Sequence, residues 1–165
     1  MELNDNNKHT YILLLIDSLN KKYNILNELM QITTTQRSII DSGNFDEDEF
    51  LQTITLKEKL INSLAELDRG FELVYDRIRV ELNENRNQYT TEISALKELV
   101  TKVTELSVKL QAQEKINKAN LESQLASKRK SIKSARLSNE TVANYYKSML
   151  GKQNQQSSYF YDKKN

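Results

Sequence analysis

Few residues in this chain are equipped for covalent or metal chemistry. Among its 165 residues there is one histidine, His9, and no cysteine. Without thiols there is no disulfide framework, no cysteine zinc site, no iron–sulfur cluster and no thiolate nucleophile. His9 has no second histidine to share a metal with, and the Glu-x-x-His spacing of metal-binding helical bundles is absent. It reads as a solvated or capping residue. Gly43, Gly70 and Gly151 stand apart from one another, so no glycine-rich loop can cradle a phosphate. The densest acidic run, Asp46-Glu47-Asp48-Glu49, lacks the alternating ligand positions and central glycine of a calcium loop. No catalytic residue, metal or cofactor is expected, and the chain does not read as an enzyme.

What remains is the chemistry of binding. Five basic residues fall within nine positions: Lys128, Arg129, Lys130, Lys133 and Arg136. Such a cluster could contact nucleic-acid phosphates, with tyrosines as stacking platforms. The net charge of only +1 and the lack of any recognisable reading motif argue against that. A membrane-surface helix over 132–150 would have a narrow apolar face interrupted by Asn139. A protein surface fits better, because the small net charge hides a gradient. Residues 1–86 hold 10 Lys/Arg against 16 Asp/Glu, a net −6, whereas residues 128–165 hold nine against two, a net +7. The basic stretch can lie against the acidic body, or it can steer an acidic partner in a salt-dependent way. Beside it lie Ile132, Val142, Tyr145, Tyr146, Met149 and Leu150, a weakly amphipathic set suited to gripping a partner helix. The chain closes on Tyr159-Phe160-Tyr161 after a polar, flexible stretch at 152–158.

The elements that must position these residues are helices. With no proline and three glycines, the chain lacks the turns that a β-sandwich or barrel requires. Helix one is expected over 8–42. Its seam is traced through Ile12, Ile16, Leu19, Tyr23, Leu26, Met30 and Thr33, with Gly43 as the stop. Helix two, over 46–85, starts on Asp46 as N-cap with Glu49 at N3, and Phe45 can staple to Phe50. Its seam runs Ile54, Leu60, Leu64, Leu67, Phe71, Val74 and Ile78. Gly70 interrupts it, either admitting a close neighbour or simply tolerated. A reversal is placed near Asn85–Thr90, the alternative being a helix running straight through. Helix three, over 90–127, carries Ile93, Leu96, Val100, Val103, Leu106 and Leu110. Glu98–Lys102, Glu105–Lys109 and Glu114–Lys118 form i,i+4 pairs on its exposed face. After Leu110 the stripe is diluted by Gln113, Asn117, Asn120 and Gln124. The expected architecture is an all-α, elongated antiparallel three-helix bundle over 1–127. A separate basic segment with a flexible C-terminal tail follows over 128–165. The longest apolar run, Tyr11–Ile16, is far short of the ~20 residues of a membrane span, and no small-residue cleavage site follows it. Both point to a cytoplasmic protein without membrane insertion.

One segment resembles a known family. Ala65-Glu66-Leu67-Asp68-Arg69-Gly70-Phe71-Glu72-Leu73-Val74-Tyr75-Asp76-Arg77-Ile78 is similar to the middle helix of the FlgN-type flagellar type III export chaperones of clostridial type. Val103-Thr104-Glu105-Leu106, with Asn120-Leu121, resembles their third helix. Val142-Ala143-Asn144-Tyr145-Tyr146-Lys147 and Tyr159-Phe160-Tyr161-Asp162-Lys163-Lys164 resemble their end. The resemblance implies a cytoplasmic chaperone that holds hook-associated proteins of the hook–filament junction and delivers them to the export gate and its ATPase. It also implies that the substrate is gripped by the C-terminal part, here Ile132, Val142, Tyr145, Tyr146, Met149 and Leu150. Nucleic acid is not an expected partner, and the seams allow a homo-oligomer. The rival reading is a non-enzymatic structural coiled coil or adaptor.

Overall fold

The computed structural model describes residues 4–128 and residue 144. Helix α1 spans Asp5–Asp41. It begins about one turn before the apolar pattern does, because the Asn4 side chain accepts a hydrogen bond from the Asn7 N–H at 3.1 Å and caps it. It ends where Gly43 takes a φ of +74°, the left-handed C′ position open to glycine. The Ser42 hydroxyl donates to the Ile39 carbonyl at 2.8 Å across this turn.

Helix α2 spans Glu47–Glu84. The Asp46 carboxylate accepts from the Glu49 N–H at 3.1 Å, and the rings of Phe45 and Phe50 lie 5.5 Å apart. The acidic run is thus a helix start, with Glu47, Asp48 and Glu49 in the first turn at the positive end of the dipole. At the other end the Asn85 N–H donates to the Glu81 carbonyl at 3.0 Å, and a single 3-10 turn, Arg86–Tyr89, reverses the chain. Helix α3 then spans Thr90–Lys128. The helix running straight through is therefore not formed.

The three helices, each close to 57 Å long at 1.5 Å per residue, make an elongated bundle with no strand among the described residues. Its core falls into three clusters along the axis. The first joins Ile12, Leu15 and Leu19 of α1 to Phe71, Tyr75, Ile78 and Leu82 of α2 and Ile93, Leu96 and Val100 of α3. The second joins Leu26 and Leu29 to Leu64 and to Val103 and Leu110. The third joins Ile39 and Ile40 to Phe45, Phe50 and Ile54, with Leu121 above them. Position rises together along α1 and α3 and falls along α2, so α2 is antiparallel to both.

Burial corrects the seams. Along α1 the buried line is 12, 15, 19, 22, 26, 29, 33, 36 and 40, an alternation of three and four, with Ile39 buried beside Ile40. Ile16, Tyr23 and Met30 flank this line half-buried. On α3 the line is 93, 96, 100, 103, 107, 110, 114, 117 and 121, so Ser107 replaces Leu106. On α2 it passes through Asp68 and Tyr75 instead of Leu67 and Val74, with Leu60 and Ile61 both half-buried beside it. Lys22, Asp68 and Ser107 account for three of the slips, because polar residues occupy those core positions. At Leu15, Leu29 and Tyr75 two adjacent apolar residues competed, and the 3,4 rather than the 4,3 alternation is the one buried. Glu114 is corrected too. It is buried at 7% exposure and turned inward, not paired on the surface with Lys118, while Glu98 and Lys102 do pair at 3.6 Å.

Where α2 ends, Glu81 gathers partners. Tyr89 donates to it at 3.0 Å and the Lys8 ammonium lies 3.3 Å away. Burial works against the Glu81 carboxylate, but hydrogen bonds from Tyr89, Lys8 and Asn85 outweigh it and hold the group below its ordinary 4.5. The hydrogen bond to Glu81 raises Lys8 above its ordinary 10.5, against the burial that lowers it. A depressed carboxylate contributes stability above 4.5 that is lost as pH falls through its folded value. A raised lysine contributes below 10.5 and fades as pH climbs beyond. The melting-temperature gap between the wild-type chain and Glu81→Gln should therefore be widest between these limits. Melts across a pH series should show it closing on acidification, and a gap that stays constant into acid would contradict the assignment.

Candidate functional site

Between the second and third apolar clusters the bundle is polar at its centre. Lys57 on α2 donates to Gln36 Oε1 on α1 at 2.7 Å and touches the carboxylate of Glu114 on α3. Gln36 Nε2 donates to the Thr53 hydroxyl at 2.9 Å, and that hydroxyl donates to the Phe50 carbonyl. The Thr33 hydroxyl reaches Glu114 at 2.9 Å. Asn117 Nδ2 donates to the Thr33 carbonyl at 2.8 Å and accepts from Gln113 Nε2 at 2.9 Å. All three helices contribute, and Gln36, Lys57, Glu114 and Asn117 are buried. Burial pushes the Lys57 ammonium down to about 7. The carboxylate of Glu114 against it favours the charged form and opposes that push.

A second buried pair sits nearer the Glu81 end. Lys22 and Asp68 meet at 2.8 Å, at 2% and 5% exposure. These polar positions were missed because apolar residues alone were followed. The signal was nonetheless present: continuing the 3,4 alternation from Ile12 lands on Lys22 and Gln36, and continuing it from Ile93 lands on Glu114 and Asn117.

The polar layer divides α3 into two unequal parts. Up to Leu110 its buried positions are Ile93, Leu96, Val100, Val103, Ser107 and Leu110. Beyond Leu110 they are Glu114, Asn117 and Leu121, with Leu125 half-buried beside them. One buried leucine contributes about 1.5–3 kcal/mol, so the second part is held far more weakly than the first. The segment it covers, Ile39, Ile40, Phe45, Phe50 and Ile54, is strongly apolar.

Gly70 lies on an open groove of about 480 Å³ between α1 and α2, together with Ser18, Ser63 and Leu67. No neighbouring helix approaches it: a Cβ built there meets nothing within 4 Å. Gly70→Ala should therefore stabilise the fold by about 0.5–1 kcal/mol, the helix-propensity difference between the two residues. Chemical denaturation checks this, and a destabilised variant would show that the groove is not empty space.

Among the described residues no cluster of His, Asp or Glu is arranged to hold a metal, and no helix is long and apolar enough to cross a membrane. Of the residues assigned to partner binding or steering, Lys128 is the last residue of α3. Arg129, Lys130, Ile132, Lys133, Arg136, Val142, Tyr145, Tyr146, Met149 and Leu150 lie outside the described residues. The Tyr159-Phe160-Tyr161 end lies outside them as well.

The amino-acid pattern of residues 14–153 matches that of the FlgN protein family. This chain belongs to the FlgN family. The match covers all three helices of the bundle except the first turns of α1, and it continues through the segment that carries Ile132 to Leu150. It is to the family as a whole and does not single out a clostridial subtype. FlgN proteins are flagellar export chaperones for hook-associated proteins, and they are chaperones rather than enzymes. No curated protein and no solved structure matches the chain.

Proposed function

We propose that this FlgN protein is a cytoplasmic chaperone that binds hook-associated proteins and delivers them to the flagellar type III export apparatus, at its gate or ATPase. The observation that carries this reading is the family match over residues 14–153, which runs beyond the bundle into the basic and aromatic segment. On this reading α1, α2 and the first part of α3 form a scaffold with a fixed register. The 128–165 segment is the working part. Lys128, Arg129, Lys130, Lys133 and Arg136 steer an acidic partner, and Ile132, Val142, Tyr145, Tyr146, Met149 and Leu150 grip an amphipathic helix.

The test is titration of the purified hook-associated proteins of the same organism into the full chain and into its Tyr145→Ala/Met149→Ala variant. The double variant should bind about tenfold more weakly or worse, as expected for anchors of a helix-in-groove contact. Undiminished binding would remove these residues from the site. Raised salt should slow association with the full chain, and a flat salt response would remove the steering role of the basic cluster.

A further inference from the structure

We propose that the end of α3, residues 114–128, is a displaceable cover. Under it lies a docking trough for an amphipathic helix of the exported partner. The trough is the apolar floor made by Ile39, Ile40, Phe45, Phe50 and Ile54, where α1 turns into α2. This rests on the chaperone reading above and adds to it a site within the bundle itself.

Three observations carry it. First, the floor is built to take a helix, because a helix already lies there, presenting Leu121 and Leu125 at an i,i+4 spacing. A partner helix with apolar residues at i, i+3, i+4 and i+7 would offer more than these two side chains. Second, the cover is attached mainly by polar groups. Its contacts across the polar layer are Glu114 to Lys57 and Thr33, and Asn117 to the Thr33 carbonyl, and beyond them Leu121 is its one fully buried apolar side chain. Water can satisfy all of these groups once the helices part, whereas no such exchange is open to the apolar seam from Ile93 to Leu110. Third, the floor has local supports of its own. Phe45 and Phe50 are stapled to each other, Asp46 caps α2 locally, and Gly43 sets the turn. The cover can leave and the trough remain. The polar layer is then the hinge line, separating a permanent bundle from an exchangeable end.

The chain has no native cysteine, so the cover can be locked chemically. Thr33→Cys with Asn117→Cys places two thiols where the side chain of one native residue already meets the backbone of the other. With the wild-type chain binding its hook-associated protein, the oxidised lock should bind at least tenfold more weakly, and reduction should restore binding. Equal affinity of the oxidised and reduced forms would overturn the proposal. A second variant works in the opposite direction. Leu121→Ala/Leu125→Ala weakens the cover without touching the floor, so it should bind the partner several-fold more tightly than wild type. Weaker or unchanged binding by that variant would also overturn the trough. If the wild-type chain binds none of the hook-associated proteins, the chaperone reading itself fails. If wild type binds and the lock does not matter, only the trough fails.

Discussion

Lys22→Met on its own is expected to lower the unfolding free energy by about 3–5 kcal/mol, the usual consequence of leaving one charge of a buried pair without its partner. Asp68 would then be a carboxylate at 5% exposure with its ammonium, 2.8 Å away in the wild-type chain, removed. The pair lies between the first and second apolar clusters, in the part of the bundle where all three helices are well packed. No local opening can relieve it, so the whole bundle should be affected. A melting-temperature drop of about 10–20 °C follows for a domain of this size. Asp68→Leu alone should be comparably harmful. The double variant Lys22→Met/Asp68→Leu should recover wild-type stability or exceed it, because two desolvated charges have been exchanged for apolar atoms of similar total volume. A circular-dichroism melt of the four proteins completes the cycle. Additive single effects would mean that the two groups do not depend on each other, contrary to the geometry. What the charged pair supplies is alignment: sliding α1 by one heptad against α2 would bury both charges apart.

Glu114→Ala should behave differently, although its carboxylate is as deeply involved. It takes the carboxylate from Lys57 and Thr33 and frees the end of α3. That end can part from the body, letting water reach the stranded Lys57, so the damage stays local. Global stability should fall by about 2 kcal/mol or less, within the ordinary range of single substitutions. Hydrogen exchange should show residues 114–128 losing most of their protection, while 93–110 keep theirs. Adding Lys57→Met to Glu114→Ala should restore part of the lost protection, since the orphaned charge disappears. Uniform loss along all three helices would show that the polar layer is an integral part of the core and no boundary. The contrast between Lys22 and Glu114 is thus a contrast of position: two buried ion pairs of like chemistry, one inside the scaffold and one at its edge.

The fold was legible in the sequence wherever its cause was local. Phe45, Asp46, Glu49 and Phe50 announce the start of α2 within six residues, and the structure shows the cap and the staple. Gly43 announces the end of α1, and its positive φ shows why. The composition, poor in turn formers, points to helices, and helices are found. The seam registers were harder, because adjacent apolar pairs such as Leu15–Ile16 and Leu29–Met30 fit two alternations equally, and a trace of apolar residues steps around polar core positions. Lys22 diverted the line on α1 toward Tyr23, and Asp68 diverted the line on α2 toward Leu67. The polar layer was least legible of all. Lys57 and Glu114 are 57 positions apart, and Thr33 and Glu114 are 81 apart. Glu114 also has Lys118 one turn away, so it presents a ready surface pairing. Nothing local says that it turns inward toward a lysine on another helix. The partner-binding residues from Ile132 to Leu150 come from the weakening of the core pattern and from the family resemblance, and they lie outside the described residues.

The most direct test of the central claim is hydrogen exchange on the full chain, alone and saturated with a purified hook-associated protein of the same organism. Residues 132–150 should gain protection in the complex, while the seam residues from Ile12 to Leu29 and from Ile93 to Leu110 should not change. If residues 132–150 exchange identically in the two states while another surface becomes protected, the working part of this chaperone is not where the account puts it.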